Sequence, residues 1–235
     1  MLSRLLPQIY EMVTLGSSDT ALFLRTTHSM PQKFFADNVK KLCLSVSVDA
    51  SHAERILTLC TGISDLAFWV DCIDTPGHHA IMSLISRLRL CRLSIEQTHF
   101  ISLFSDPTSR HAWCDSLTHL DIIFWHHELS PVVPYLDHLH SLTHLSLRLR
   151  HNRARAESLL DILSSCKKLE FMIIYDELPE SAEEGIKVVD KRVVYMPYPS
   201  NVVQAWEAQA RQDVTSSWFS AEEAIRRYIV EQERS

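Results

Sequence analysis

The chain has 235 residues, 46% apolar and 22% charged, with a net charge of −6. That is ample material for a buried core and an ordinary balance for a folded protein in water. It excludes two broad classes: no dense Lys/Arg tract marks a nucleic-acid footprint, and no run approaches the roughly 18 apolar residues of a membrane span.

The opening, Met1-Leu2-Ser3-Arg4-Leu5-Leu6-Pro7, lacks the apolar run and small-residue cleavage site of a secretory signal. Six scattered cysteines form no C-x-x-C pair, and several occupy apolar positions where a thiol packs as a small hydrophobe. They are expected to be reduced, in an intracellular protein of the cytoplasm or nucleus.

Along the chain, Ile9-Tyr10-Glu11-Met12-Val13 alternates weakly, and Ser17-Ser18 can cap a helix through Ala21, Leu22 and Leu24. A short phrase then recurs, in its fullest form as Leu117-Thr118-His119-Leu120-Asp121-Ile122 and Leu142-Thr143-His144-Leu145-Ser146-Leu147. Its central apolar residue falls at Leu42, Leu66, Leu93, Leu120, Leu145 and Leu169, in steps of 24, 27, 27, 25 and 24 residues. Each copy alternates apolar and polar residues as a strand does, and most are followed by apolar residues at helical spacing. Asp49 precedes Ile56, Leu57 and Leu59; Pro76 precedes Ile81, Met82, Leu84, Ile85 and Leu88. The stretch from Phe100 to Cys114 is least regular, broken at Asp106-Pro107. Ser130-Pro131 reads as an N-cap and first helical residue before Val132, Val133, Leu136 and Leu139; Asn152 precedes Leu159, Leu160, Ile162 and Leu163.

Arg192-Val193-Val194-Tyr195 reads as a last strand, stopped by Pro197 and Pro199. Two helices follow, around Val202–Arg211 and from Ser220, where Ser220-Ala221-Glu222-Glu223 has capping-box spacing. Strand, crossover helix and parallel strand at a period of 24 to 27 residues predict an α/β fold. The specific expectation is a right-handed leucine-rich-repeat solenoid, with a parallel sheet, helices on the convex side and a helical C-terminal cap. The solenoid would span residues 1–199, with an imperfect first repeat over 1–38, and the cap residues 200–235.

The Leu-x-x-Leu-x-Leu phrases resemble the repeats of F-box-type substrate receptors, and Cys60 and Cys114 are similar in placement to the cysteine-containing subtype. More narrowly, Ala21-Leu22-Phe23-Leu24-Arg25, Phe34-Phe35-Ala36, Val39-Lys40-Lys41-Leu42-Cys43-Leu44 and Val193-Val194 with Trp206 and Trp218 resemble an uncharacterised family of mushroom-forming fungi. That resemblance implies a non-enzymatic protein-interaction module, a substrate-recognition component related to ubiquitin ligases, with a cullin-ligase adaptor as partner. Two features depart from the pattern. The ninth repeat position holds Asp71, Thr98, Trp125, Arg150 and Ile174 instead of Asn or Cys, and no F-box is found beyond a hint at Leu6-Pro7-Gln8-Ile9. A stand-alone scaffold with no ubiquitin link is therefore the rival reading.

If the repeats stack, outward strand residues form columns on the sheet. One holds Lys41, Asp65, Arg92, His119, His144 and Lys168; another holds Ser45, Trp69, Glu96, Ile123, Arg148 and Met172. Trp and Arg are frequent binding anchors. The candidate partner-binding residues are thus Trp69, Arg92, Glu96, His119, Trp125, His144 and Arg148, unless loops or the C-terminal tail cover them.

Thirteen histidines raise a metal-dependent enzyme as the alternative from another class. Zinc needs three or four convergent ligands. Neighbours such as His126 and His127 on a strand, or His138 and His140 on a helix, diverge instead. Four glycines leave no phosphate-cradling loop, and there is no G-x-S-x-G or H-E-x-x-H. The acidic run through Asp176, Glu177, Glu180, Glu183 and Glu184 reads as a solvated connection. The expectation is no catalytic residue, no metal and no cofactor.

Overall fold

The computed structural model describes residues 2–105, 111–125, 132–150, 156–176 and 190–233. The chain divides into two compact units, residues 1–117 and 118–235. The first contains α1 (Leu2–Tyr10), β1 (Met12–Leu15), α2 (Ser17–Thr27), α3 (Gln32–Asn38), β2 (Lys41–Leu44), α4 (Ala50–Leu59), β3 (Asp65–Phe68), α5 (His78–Arg87), β4 (Arg92–Glu96) and α6 (Gln97–Leu103). The second contains β5 (His119–Ile123), a 3-10 turn (Leu136–His138), β6 (His144–Arg148), α7 (Ala156–Ser165), β7 (Phe171–Asp176), β8 (Val193–Pro197), α8 (Val202–Ala210) and α9 (Ser217–Glu233).

In each unit the strands are parallel and lie side by side in chain order. The α/β class with an all-parallel sheet is thus observed. Leu42, Leu66 and Leu93 are in register across β2, β3 and β4, as are Leu120 and Leu145 across β5 and β6. One device recurs where strands begin. The carbonyl of Lys40 accepts from the amides of Ser64 and Asp65, that of Ser64 from Cys91 and Arg92, and that of Thr118 from Thr143 and His144. The Ser64 and Thr143 hydroxyls add bonds to those same carbonyls of the preceding turn. Backbone pairs and small hydroxyls thus secure the register where an asparagine ladder is lacking.

The helices form for the expected reason. Ala53, Ile56 and Leu57 in α4, and Leu159, Ile162 and Leu163 in α7, repeat one i, i+3, i+4 spacing and are all buried. In α5 the buried set is Ile81, Met82 and Ile85. Around β1, Tyr10, Phe23, Phe34 and Phe35 pack with ring centroids 5.3–6.4 Å apart, binding α1, α2 and α3 into one body. Gly62 sits where a Cβ would lie 2.0 Å from the Ala36 carbonyl oxygen, so only glycine allows α3 and the turn after α4 to approach this closely.

Four expectations need correction. Leu169 is not the centre of β7: Met172 pairs with Leu145, and Leu169 precedes the strand as Leu142 does in the copy before. Both sites are apolar and three residues apart, so the phrase fits in either phase. Lys168 and Met172 accordingly leave the columns assigned to them; Phe171 stands beside His144, and Tyr175 beside Arg148. Second, no α-helix carries Val132 to Leu139. Pro134 has no amide proton and clashes with a continuing helix, and Tyr135 turns left-handed at φ 65° before the 3-10 turn. Third, α9 begins one turn before Ser220, with the Ser216 hydroxyl accepting from the Phe219 amide. Fourth, Ile9 and Tyr10 end α1, and β1 starts only at Met12. Asp106-Pro107, Ser130-Pro131, Asn152 and Glu177 to Glu184 lie outside the described residues.

No helix among the described residues is long and apolar enough to cross a membrane. The six cysteines are free, and all but Cys91 are buried. Burial pushes the Cys60 and Cys72 thiols up to about 12 and Cys166 up to about 11, so these three are packed thiols rather than nucleophiles.

Candidate functional site

Alternation along β5, β6 and β7 puts Leu120, Leu145 and Met172 on one face and Asp121, Ser146 and Ile173 on the other. Two positions further on, Ile123, Arg148 and Tyr175 extend that second face. It is the face the columns identify as outward, and it is not open. Trp218 and Ala221 of α9 pack against Ile173 and Tyr175, joined by Val194, Met196 and Tyr198.

Beneath this cover runs a chain of polar groups. The Ser146 hydroxyl donates to Asp121 Oδ1. Arg148 Nε reaches both Asp121 oxygens, at 3.0 and 2.9 Å. The guanidinium carbon lies 5.1 Å from the centre of the Tyr175 ring, a cation–π distance. Arg148 is 0% exposed, and its Nη1 and Nη2 meet no hydrogen-bond acceptor among the described residues. Burial works against its charge, but Asp121 and the phenols of Tyr175 and Tyr198 outweigh that and hold its pKa above the usual arginine value. Burial also raises the Tyr175 phenol, with Arg148 opposing.

Nearer the strand starts, the His119 and His144 rings stack at 4.1 Å and 10°, and Phe171 continues the stack at 4.8 Å from His144. Trp218 stands edge-on to both histidines. His144 Nε2 lies 3.5 Å from Glu222 Oε1, and Glu222 is also paired with Arg226 one helical turn on. The second unit therefore brings His119, His144 and Arg148 onto one face, and the chain's own last helix packs on the two histidines and on Tyr175 beside the arginine. Trp125 is half-buried just past β5.

In the first unit, Arg92 is half-buried at the start of β4, in register with Asp65 and, through it, Lys41. Burial raises the Asp65 carboxyl, while Arg92 and Lys41 pull it down. Trp69 is 2% exposed and its indole donates to Ser94 at 2.9 Å. Glu96 is 1% exposed and caps α6, accepting from the His99 amide at 3.1 Å and the Thr98 hydroxyl at 3.0 Å. The expected exposure of Trp69, Glu96 and Arg148 is thus corrected: each side chain is buried inside the fold.

A pair not anticipated from sequence lies beside Glu96. His99 Nε2 donates to the Val70 carbonyl at 2.9 Å, so its Nδ1 accepts from His78 Nε2 at 3.1 Å. Burial lowers the pKa of both histidines. An acceptor on one side of the ring and a donor on the other fix its neutral tautomer, as a structural histidine requires. No group of three or more His, Cys, Asp or Glu side chains placed to hold a metal occurs among the described residues, and His126 and His127 lie outside them. Asp121 and Ser146 were readable only as polar residues at one position of the two fullest phrases; with Arg148 two residues beyond Ser146, that was the available signal.

Compared with known proteins, the chain matches no family model, no curated protein and no solved structure.

Proposed function

We propose that this chain is a non-enzymatic protein-recognition module, a right-handed leucine-rich-repeat solenoid that binds a protein partner through its strand face. The observation that carries this reading is the repeated register. It sets Lys41, Asp65 and Arg92 side by side at successive strand starts, and His119, His144 and Phe171 at the same place in the second unit. Side chains arrayed at strand spacing offer a partner several contacts on a rigid base. The resemblance of the Leu-x-x-Leu-x-Leu phrases favours a substrate receptor related to cullin–RING ubiquitin ligases. A stand-alone scaffold is the second reading. It is favoured by α1, the helix that carries Leu6-Pro7-Gln8-Ile9, which lies against α3 and β1 as part of the repeat body.

Mixing the purified chain with the ligase adaptor separates the two: co-elution on size exclusion is expected of a receptor, and separate elution leaves the scaffold. For the face itself, cross-linking mass spectrometry would compare wild type with a Lys41→Glu/Arg92→Glu variant. Loss of the wild-type cross-links is expected, and an unchanged set would remove these strand starts from the interface.

A further inference from the structure

The cover over β5 to β8 fits its bed poorly at one point. A guanidinium carries five N–H donors in a planar fork suited to a carboxylate. Arg148 uses only the one on Nε, because Asp121 approaches from that side alone. The four on Nη1 and Nη2 are shut off from solvent and unmatched, a costly arrangement for a buried cation. The cover does carry acid, but in the wrong place. Glu222 of α9 lies against His144, at the opposite end of β6 from the arginine, and is shared with Arg226. Among the described side chains of α9, the buried ones are Trp218, Ala221 and Ile225, an apolar seam. A helix presenting an aromatic residue and a carboxylate to this face is a self-made approximation of a ligand that would do so with better geometry.

We propose that the strand face of β5 to β8 is a docking surface for an acidic peptide segment of a partner, held closed by α9 as a built-in competitor. The segment sets an aspartate or glutamate carboxylate on Arg148 Nη1 and Nη2, and an apolar side chain in the place of Trp218. This rests on the recognition reading above and names the partner's chemistry. Arg148 is then the anchor, Asp121 the group that holds its fork in plane, and α9 the element that must leave.

The test uses the full chain and an Ala221→Glu variant. Ala221 is 0% exposed against the sheet, so the longer charged side chain should lift α9, which hydrogen exchange reads directly. The probes are two fluorescent ten-residue peptide pools with an aromatic residue at one site, one rich in Asp and Glu and the other in Asn and Gln. Polarisation should show Ala221→Glu binding the acidic pool at least tenfold tighter than the amide pool, and tighter than wild type does. Titrating the acidic pool should shift the Arg148 side-chain nitrogen resonances, a readout that needs no change to the arginine. Adding Arg148→Gln should abolish the preference. Equal binding of both pools would overturn the acidic partner while leaving recognition standing. No binding of either pool with α9 released would overturn both, and an α9 that stays protected in Ala221→Glu would overturn its role as a removable cover.

Discussion

The two units use the same strand alternation but spend their polar face residues differently. In the first, each is settled close to home: Glu96 caps the helix that follows its own strand, and Trp69 bonds to Ser94 on the next strand. In the second, one network runs from β5 through β6 toward β7, and α9 closes over it. The contrast teaches that position on a repeat dictates which face a side chain takes, whereas what lies above that face dictates its energetics. A cap can be lost at modest cost; a covered charge network cannot.

The sharpest way to break the comparison is at Asp121. Replacing it with Ala leaves Arg148 buried without a counter-charge, and a loss of about 4 kcal/mol is expected. It would be read as a lower urea midpoint at unchanged slope. Replacing both partners by apolar residues, Asp121→Leu with Arg148→Met, should recover most of that. If it does not, packing rather than charge governs the second unit.

A smaller effect is expected at Gly62→Ala, where the new methyl must push against the Ala36 carbonyl, at about 2 kcal/mol. A wild-type melting temperature for this variant would show that α3 and the turn after α4 can separate freely. Smaller again is Glu96→Ala, which removes a helix cap and should cost about 1 kcal/mol. A loss as large as that of Asp121→Ala would erase the distinction between the units.

The smallest effect is in pH. His99 is held neutral, with its folded pKa below the unfolded value of 6.5. As pH falls below about 6.5 the unfolded chain binds this proton first, so stability should decline on acidification and be fully present above that range. Urea midpoints between neutral and mildly acidic pH should show a slope that His99→Gln flattens. An unchanged slope would mean that His99 does not link folding to protons.

Much of the fold was legible. The repeated phrase located β2 to β6, and the i, i+3, i+4 spacing located α4, α5 and α7. The phase of β7 was not, because Leu169 and Met172 satisfy the same pattern and only pairing with Leu145 separates them. The Val132 to Leu139 helix failed for a local reason, Pro134, that outweighed apolar spacing. Of the candidate site, the shared face of His119, His144 and Arg148 was legible from alternation. Their cover was not, since nothing in a repeat phrase encodes contact with a helix that follows some 70 residues later.

Local rules alone therefore determined the α/β class, the parallel strands in chain order and the face taken by the residues of β2 to β6, because a two-residue alternation and a fixed period leave little choice. The tertiary structure decided that Trp69, Glu96 and Arg148 are interior, that Asp121 and Ser146 belong with Arg148, and that α9 packs on Ile173 and Tyr175 beside them. Burial and charge pairing depend on what packs above a face, and that is set by parts of the chain far from the residues concerned.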